Sequence, residues 1–437
     1  MDHSRSGKMT MTEKPTRARY IVMLMIFVSV VITFLDRSNL SITAPAMRSE
    51  LGIDTVHMGW LLSAFGWTYA FCQIPGGWLV DRIAPRFLYP IILILWSFAT
   101  VMLGVVSGIV TLIALRLLIG MLEAPSYMIN NMVVTSWFPD RERAGAIGFY
   151  TSGQFVGLAF LTPLLLLLQS HYGWRAVFYT TGVGGIVWGL IWLWAYRTPR
   201  ESTRANAAEI AEIEAGGALV ELGSASARKD KRKVTWSEFT TVFKYRKLWG
   251  VYLGQFAVTS CQWFFLTWFP TYLIEFRGLS FVKTGLYASI PFLAAFCGVL
   301  LSGLVSDRIL RSGASLGVAR KTPIICGLLL SSSIIGANYV DAPELVIAFM
   351  ALAFFGNGLA SIGWSLISSV APRNLIGLTG GTFNFISNLS GISTPLVIGY
   401  LAQGGNFAPG LTYIAVVAVL GALSYILLIG KLERVGD

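Results

Sequence analysis

The sequence has few charged side chains and very little histidine or cysteine. Of its 437 residues, 13% are charged, 3 are histidine and 4 are cysteine. The histidines lie in tails or predicted loops and the cysteines lack the spacing of metal ligands, so neither a metal site nor a cofactor is predicted. The apolar segments contain no nucleophile beside a base, which argues against an enzyme. The scarcity of charge also excludes an ordinary soluble globular protein.

Long apolar runs occupy most of the chain. Hydrophobic residues make up 55% of it, and the mean hydropathy is +0.66. Because a helix needs about 20 apolar residues to cross a bilayer, each such run predicts one span. The runs lie at 20–44, 57–80, 87–108, 111–135, 144–168, 174–196, 248–275, 284–306, 322–340, 343–371, 376–403 and 407–431. The sequence therefore predicts an all-α membrane protein with twelve transmembrane helices.

The basic residues orient the chain. The net charge is +11, and most Lys and Arg residues fall in the tails and in alternate loops between the predicted spans. Only Arg48, Arg175, Arg277 and Lys283 lie in the opposite loops. Because cytoplasmic loops are the ones rich in Lys and Arg, both termini are predicted to be cytoplasmic. The charge excess is explained by this orientation, and no nucleic-acid partner is predicted.

A polar segment divides the predicted spans into two sets of six. Residues 197–247 are charge-rich and predict a cytoplasmic linker with at most a short Ala/Glu helix, between bundles at 1–196 and 248–437. The stretch "GWLVDR" (Gly77–Arg82) ends the second span, and "GLVSDR" (Gly303–Arg308) ends the eighth. A repeat at corresponding positions predicts two pseudo-symmetric six-helix bundles.

Four ionisable residues lie inside predicted spans of the first half. Asp36 and Arg37 are in "ITFLDRSNL" of span one, and Arg116 and Glu123 are seven residues apart in span four, on one helical face. Each costs about 2.5 to 3.5 kcal/mol to insert near the bilayer centre, so such groups usually pair and face a cavity. An ion pair that only fixes helix packing is the alternative, although burial makes it a poor source of stability. The functional interpretation is a carboxylate that exchanges a proton while an arginine binds an anion.

The second half has neutral polar residues where the first has charges. Its spans contain amides, hydroxyls and indoles, namely Gln255, Gln262, Trp263, Trp268, Asn357, Ser361, Trp364, Asn384 and Asn388. Such groups suit a polyhydroxylated ligand, because each hydroxyl both donates and accepts a hydrogen bond. The alternative is that they join neighbouring helices. Together with Tyr69 and Gln154 of the first half, they predict a cavity with one charged wall and one hydroxyl-binding wall.

The Gly-x-x-x-Asp-Arg repeat resembles the loop motif of the major facilitator superfamily. That resemblance implies two six-helix bundles around a central cavity. It also implies a gating role for the first copy, Gly77, Asp81 and Arg82, and for Asp307 and Arg308 in the second copy. The alternative is that these residues only cap helix ends and orient the loop.

A narrower resemblance covers about Arg19 to Val435. The stretches "FLDRSNLSI", "GMLEAPSYMINN" and "GLTGGTFNFISNLSGISTPLVIGYLAQG" are similar to the anion:cation symporter family. The resemblance implies that Asp36 and Glu123 carry protons and that Arg116 connects them. The residues implied to contact the substrate are Arg37, Tyr69, Gln154, Ser361, Trp364 and Asn384. Two positions depart from the family pattern, since Gly363 replaces an expected hydroxyl residue and Phe34 an expected tyrosine.

The function implied is proton-coupled import of a sugar-acid monoanion, D-galactonate first, by alternating access. The expected setting is a bacterial inner membrane, with the protein as a monomer surrounded by lipid. Hexuronates and glucarate-type diacids are the alternative substrates, but a diacid would favour a second cation, which the second-half spans lack. A receptor that does not transport is a further alternative, although it would be expected to carry a sizeable soluble domain.

Overall fold

The computed structural model describes residues 14–221, 240–372 and 375–435. Within these ranges, the structure describes only the backbone of Asp81, Asp140, Ala144, Trp364, Ser368, Ile376 and Gly377. Every regular element in the described residues is a helix. The predicted all-helical class is therefore confirmed.

The described part of the first half contains eight helices, several of them paired end to end. They are α1 (Ala18–Leu51), α2 (Thr55–Phe71), α3 (Gln73–Arg82), α4 (Pro85–Val105), α5 (Ile109–Glu123), α6 (Ser126–Trp137), α7 (Asp140–Tyr172) and α8 (Trp174–Ala195). Gly52 ends α1 in the left-handed region with a φ of 67°. The Asp54 carboxylate then accepts a hydrogen bond from the backbone N–H of His57 and caps α2. Together these residues make a sharp turn between the first two helices.

A short helix of the linker packs against the first half. This helix, α9 (Ala207–Ala215), follows a 3₁₀ turn at Pro199–Glu201 and is capped by the Asn206 side chain. The fully buried Glu209 accepts hydrogen bonds from the backbone N–H groups of Ala18 (3.0 Å) and Arg19 (3.1 Å). The sequence predicted this helix but not its contact with the start of α1.

The second half repeats the helical pattern with more interruptions. Its helices are α10 (Arg246–Thr267), α11 (Phe281–Arg311), α12 (Leu316–Ser331), α13 (Pro343–Leu359), α14 (Trp364–Val370), α15 (Ile376–Asn388), α16 (Ser390–Leu401) and α17 (Ala408–Leu427). A short α-helical turn lies at Phe269–Thr271, and wider or tighter helical turns lie at Tyr272–Phe276, Ser332–Tyr339 and Ala360–Gly363.

In the described residues, nine helices are long and apolar enough to cross a membrane. The predicted spans at 57–80, 248–275 and 376–403 are not among them. The first is interrupted at Cys72 and the last at Leu389, so neither forms one long helix. Pro75 explains the first break, because it has no N–H to bond the carbonyl of the residue four positions earlier. The membrane character is confirmed, while the count of twelve spans stays a prediction.

The two halves meet mainly along two helix pairs. Helix α2 packs against α16, and α7 packs against α11. Small residues let the first pair approach closely: a Cβ on Gly66 would lie 2.6 Å from the carbonyl of Gly391, and one on Gly59 would lie 3.2 Å from Cα of Gly399. Glycines at these positions allow the backbones of the two halves to touch, as small residues do in membrane helix pairs.

The end of the molecule that holds the last turn of α1 is closed by contacts between the halves. Arg48, at the end of α1, forms an ion pair with Glu275 beyond α10. Arg48 also donates to the Thr55 hydroxyl at 2.9 Å. Nearby, the Trp60 indole donates to the Tyr400 hydroxyl at 3.4 Å. The Arg48–Glu275 and Trp60–Tyr400 contacts connect α1 and α2 of the first half to the second half.

Candidate functional site

The four ionisable residues predicted from the sequence lie together inside the first half. Helix α1 supplies Asp36 and Arg37, and α5 supplies Arg116 and Glu123, all at most 7% exposed. Arg37 Nε donates to Glu123 Oε1 at 2.5 Å, and Arg37 Nη2 lies 2.5 Å from the same oxygen. Arg116 Nη1 donates to the backbone carbonyl of Asp36 at 3.2 Å. The structure therefore brings together two carboxyl groups and two guanidinium groups, with one direct ion pair, between Arg37 and Glu123.

Neutral donors hold the Asp36 carboxylate. Trp96 Nε1 donates to Oδ2 at 2.9 Å, and Asn39 Nδ2 lies 3.3 Å from Oδ1. In the part of the chain that is described, no ion pair reaches this carboxylate. Trp96 was missed by the sequence reasoning. Its one signal was a tryptophan in an apolar run, whose indole N–H needs an acceptor when buried.

Aromatic rings surround the Arg37 guanidinium. Its Cζ lies 4.6 Å from the ring centre of Tyr69, 4.9 Å from that of Phe34 and 5.1 Å from that of Phe65. Such contacts attract the cation electrostatically without competing for its N–H groups. Tyr69, which the resemblance implies is a substrate contact, thus lies beside Arg37. Phe34, which departs from the family pattern, still contributes a ring face, and Phe65 was not predicted.

The cluster contains unpaired atoms as well as paired ones. Among the described residues, Glu123 Oε2 and Arg116 Nε are buried without a hydrogen-bond partner. Glu123 is the last residue of α5, because the chain turns at Ala124 and Pro125 before α6 begins. A carboxylate oxygen at this break can take up a proton, and Arg37 can exchange Glu123 for another carboxylate.

The neutral polar residues divide into two groups. Asn357 donates to the Val258 carbonyl at 2.6 Å, and Asn388 donates to the Asn384 carbonyl at 2.8 Å, so these two amides bond helix backbone. Gln154 of α7 instead accepts from Gln262 of α10 at 3.4 Å, which joins the two halves. The Asn357 bond joins two helices, as the alternative expected, whereas the Asn388 bond stays within α15 and the Gln154–Gln262 bond crosses between the halves.

The remaining predicted contact residues lie in the second half. Ser361 lies in the turn after α13, and Asn384 lies in α15, both partly buried. Trp364 begins α14, but its side chain is outside the described part of the structure. Their contact with a substrate stays a prediction.

The repeated motif lies at the C-terminal ends of α3 and α11. Arg82 stacks on Trp78 with its Cζ 3.9 Å from the ring centre, and a Cβ on Gly77 would lie 3.3 Å from Met128 Sδ. Asp307 lies 3.7 Å from the Arg320 guanidinium, and Arg308 is exposed. The Asp81 side chain is outside the described residues. The gating role of both copies stays a prediction.

Comparison with known proteins identifies the family. The sequence model of the Major Facilitator Superfamily matches residues 26–392. The chain belongs to the Major Facilitator Superfamily. A D-galactonate transporter of Escherichia coli O6:H1 (strain CFT073) is 55% identical over 424 residues, which cover 97% of this chain and 98% of that protein. The chain is therefore similar over nearly its whole length to a transporter and not to an enzyme.

Two further proteins widen the comparison. A probable galactarate/D-glucarate transporter of Bacillus subtilis (strain 168) is 40% identical over 98% of this chain and 96% of its own length. Among solved structures, an inward-facing, occupied bacterial homolog of the human lysosomal transporter Spinster has a TM-score of 0.72, covering 94% of this chain and 96% of that one. At 19% identity that structure shows the fold alone. The predicted major facilitator fold is confirmed.

Proposed function

We propose that the transporter imports D-galactonate together with protons. The observation that carries this proposal is the buried cluster of Asp36, Arg37, Arg116 and Glu123, whose ionic and hydrogen-bonding groups are only partly paired. The 55% identical relative is a D-galactonate transporter, which supports the choice of substrate. Twelve spans in two bundles, joined by residues 197–247, would rock about the site to expose it to each side in turn.

The setting follows from charge. We infer that both termini lie in the cytoplasm, because the basic residues concentrate on that side. We also infer that the protein is a monomer in the bacterial inner membrane. The proposed gating motif, Gly77, Asp81, Arg82, Asp307 and Arg308, would then lie at the cytoplasmic end.

Arg37 is proposed to bind the substrate carboxylate. Its fork can bind a carboxylate with two hydrogen bonds. Glu123 now takes one of them, from Nε, while Nη2 lies 2.5 Å from the same oxygen without a hydrogen bond among the described residues. When the substrate carboxylate takes the place of Glu123, the released carboxylate is left buried beside an anion and takes up a proton from the open side. Substrate binding and proton binding are thereby linked in the same cluster.

Asp36 is proposed as the second proton carrier. Its carboxylate accepts only from neutral donors among the described residues, so a proton removes a buried charge that no direct ion pair compensates there. Two protons with one monoanion would move one net positive charge inward. A membrane potential would then favour uptake by about 2.3 kcal/mol per 100 mV.

Uptake into proteoliposomes tests the substrate and the coupling. With the membrane potential clamped at zero, radiolabelled D-galactonate should accumulate only when the outside is more acidic, and unlabelled D-galactonate should compete better than gluconate, glucuronate or glucarate. Accumulation that needs no proton gradient would contradict coupling. Stronger competition by glucarate would favour the diacid function of the 40% identical relative.

Glu123→Gln tests the coupling residue. Because glutamine keeps the size of the side chain and cannot exchange a proton, we expect gradient-driven accumulation to fall to background. Binding and exchange of D-galactonate across the membrane should remain. Both are measured in the same proteoliposomes, with labelled substrate inside for exchange. Uphill uptake by this variant would remove Glu123 from the mechanism.

A further inference from the structure

Three buried polar side chains of the first half have atoms without a hydrogen-bond partner. They are Tyr89 of α4 and Ser126 and Asn130 of α6, each at most 1% exposed. In the part of the chain that is described, the two hydroxyls and Asn130 Oδ1 make no hydrogen bond, and neither does Glu123 Oε2. Ser126 and Asn130 are four residues apart and so share one face of α6. Buried polar atoms without a protein partner are ordinarily bonded to internal water.

Tyr89 connects these atoms to the charged cluster. Its hydroxyl lies close to the Asn130 side chain and to the charge of Glu123, but without a hydrogen bond of normal geometry to either. A water molecule can bridge polar groups at such a separation. The Tyr89 ring also packs edge-on against Trp96, with ring centres 6.4 Å apart, and Trp96 donates to Asp36. Both proposed proton carriers therefore border the same interior of the first half.

The row of polar groups continues from Tyr89 to an exposed side chain. Tyr150 of α7 is 2% exposed and lies near Tyr89, and its hydroxyl donates to Asn131 Oδ1 at 2.8 Å. Asn131 is exposed and lies between Glu123 and the predicted cytoplasmic end of α6. Water and tyrosine hydroxyls both donate and accept hydrogen bonds, so they can pass a proton along such a row.

The two oxygens of Glu123 differ in their partners. Oε1 accepts a hydrogen bond from Arg37, the residue proposed to bind the substrate, whereas Oε2 is buried without a partner among the described residues. A proton on Oε2 therefore has no need to pass the Arg37 guanidinium when it leaves the carboxyl group.

We propose that Tyr89 and Asn130 bind internal water that carries the proton of Glu123 through the first half toward the cytoplasm. The O–H bond at Oε2 breaks, the proton joins the nearest water, and each water or tyrosine along the row accepts one proton and passes on another. The carboxylate is left charged, while the waters and hydroxyls return to their original form. The substrate takes a separate route between the halves. This inference rests on the proposed function, because it names the path of a proton that Glu123 is proposed to carry.

Tyr89→Phe and Asn130→Leu test the water site in proteoliposomes. Phenylalanine keeps the ring, which packs on Trp192 with centres 4.7 Å apart, but lacks the hydroxyl. Leucine is close to asparagine in size and offers water no partner. Gradient-driven uptake of D-galactonate should slow by about 3- to 10-fold in each variant, as expected for one lost hydrogen bond in the row. Exchange of labelled for unlabelled D-galactonate should keep its rate, because no proton has to leave Glu123.

Heavy water separates a proton path from a structural role. Where proton movement limits uptake, heavy water should slow uptake by the two variants more than uptake by the wild type, and should leave exchange unaffected. A residue that only packs helices would slow uptake and exchange alike, with the isotope effect of the wild type. If Asn130→Leu does not fold, Tyr89→Phe decides the test, because it removes a single oxygen atom.

Tyr425→Phe is the matched control for Tyr89→Phe. Tyr425 belongs to α17 of the second half and is fully buried, and its hydroxyl also has no hydrogen-bond partner among the described residues. Loss of this hydroxyl should change neither the uptake rate nor its isotope effect.

The outcomes distinguish this inference from the proposed function. A wild-type protein whose uptake needs no proton gradient overturns both. A wild-type protein that is coupled to protons, with uptake by Tyr89→Phe as fast as its own, overturns the water path alone. Equal losses of uptake and exchange, or an isotope effect no larger than that of the wild type, also overturn the water path alone.

Discussion

Arg37 is the residue that makes most of the contacts in the charged cluster. Its guanidinium lies between aromatic ring faces and uses two nitrogens on a single oxygen of Glu123. A lysine could supply the charge but neither the planar fork nor the stacking surface. The geometry, as well as the charge, therefore fits the recognition of a carboxylate.

Arg37→Lys should weaken D-galactonate binding by at least about tenfold, because lysine cannot donate the pair of parallel, charge-assisted hydrogen bonds that a guanidinium donates to a carboxylate. Calorimetry in detergent measures the change. Arg175→Lys is the matched control, since Arg175 pairs with Glu50 at 2.5 Å in a partly exposed position away from the cluster. Unchanged affinity in Arg37→Lys would argue against a bidentate contact with the substrate.

Single residues differ in how well the sequence predicts them. The clustering of Asp36 and Glu123 with arginines was predictable, because a charge inside an apolar run is costly to insert and usually pairs with another charge. Trp96 and Phe65 were not, because one aromatic residue among many carries no signal until folding places it against a charge. The hydrogen bond from Trp96 to Asp36 joins residues 60 positions apart in the sequence.

At the scale of the helix, hydropathy did not predict the breaks within the apolar runs, such as those at Cys72, Pro125 and Leu389. Hydropathy measures composition along the chain, whereas a break depends on which backbone hydrogen bonds are lost. Pro125 causes such a loss just after Glu123, so the carboxylate lies at the end of α5 and not in the middle of one straight helix.

The linker helix α9 supplies a cap that α1 lacks locally. Arg17, the residue before α1, makes no side-chain cap, and the Glu209 carboxylate takes over that role from 190 residues away. Arg19 strengthens the junction, since it lies 3.2 Å from carboxylate oxygens of both Glu142 and Glu212. Part of the linker thus anchors the start of α1 and the start of α7.

Glu209→Ala should lower the unfolding temperature in detergent, because two backbone N–H groups of α1 and the Thr16 hydroxyl lose their acceptor. Buried donors left without a partner cost about 1 to 3 kcal/mol. Glu214→Ala is the control, since that side chain is half exposed and, in the described residues, forms its ion pair with Arg200 at the surface. Equal unfolding temperatures for the two variants would show that α9 does not anchor α1.

On the scale of the whole molecule, the contacts between the halves keep one end closed. The backbones of α2 and α16 touch at their glycines, and Arg48 reaches from α1 to Glu275. Alternating access requires this end to separate. The ion pair is therefore a contact that must break in the transport cycle we propose.

Glu275→Gln should favour the state in which this end is open. Both partners are partly exposed, so the effect should be about 1 kcal/mol or less, or up to roughly fivefold in population. Spin labels at the start of α2 and at the end of α16, which face each other at this end of the molecule, would report the distance between the two helices. The four native cysteines would first be replaced by alanine.

Glu344→Gln is the control for that measurement, since its hydrogen bond to the Tyr287 hydroxyl stays within the second half. The longer distance should be more populated in Glu275→Gln alone. An unchanged distribution would mean that the ion pair does not hold the end closed.

The sequence by itself determined the membrane setting, the family and the four buried charges, because insertion into lipid constrains composition at every position along the chain. The tertiary structure alone decided which acid pairs with which base: Arg37 binds Glu123, whereas Asp36 is held by Trp96 and Asn39. It also decided where helices break and which glycines let the halves touch. Those features depend on distances between residues far apart in the chain, which composition and spacing do not contain.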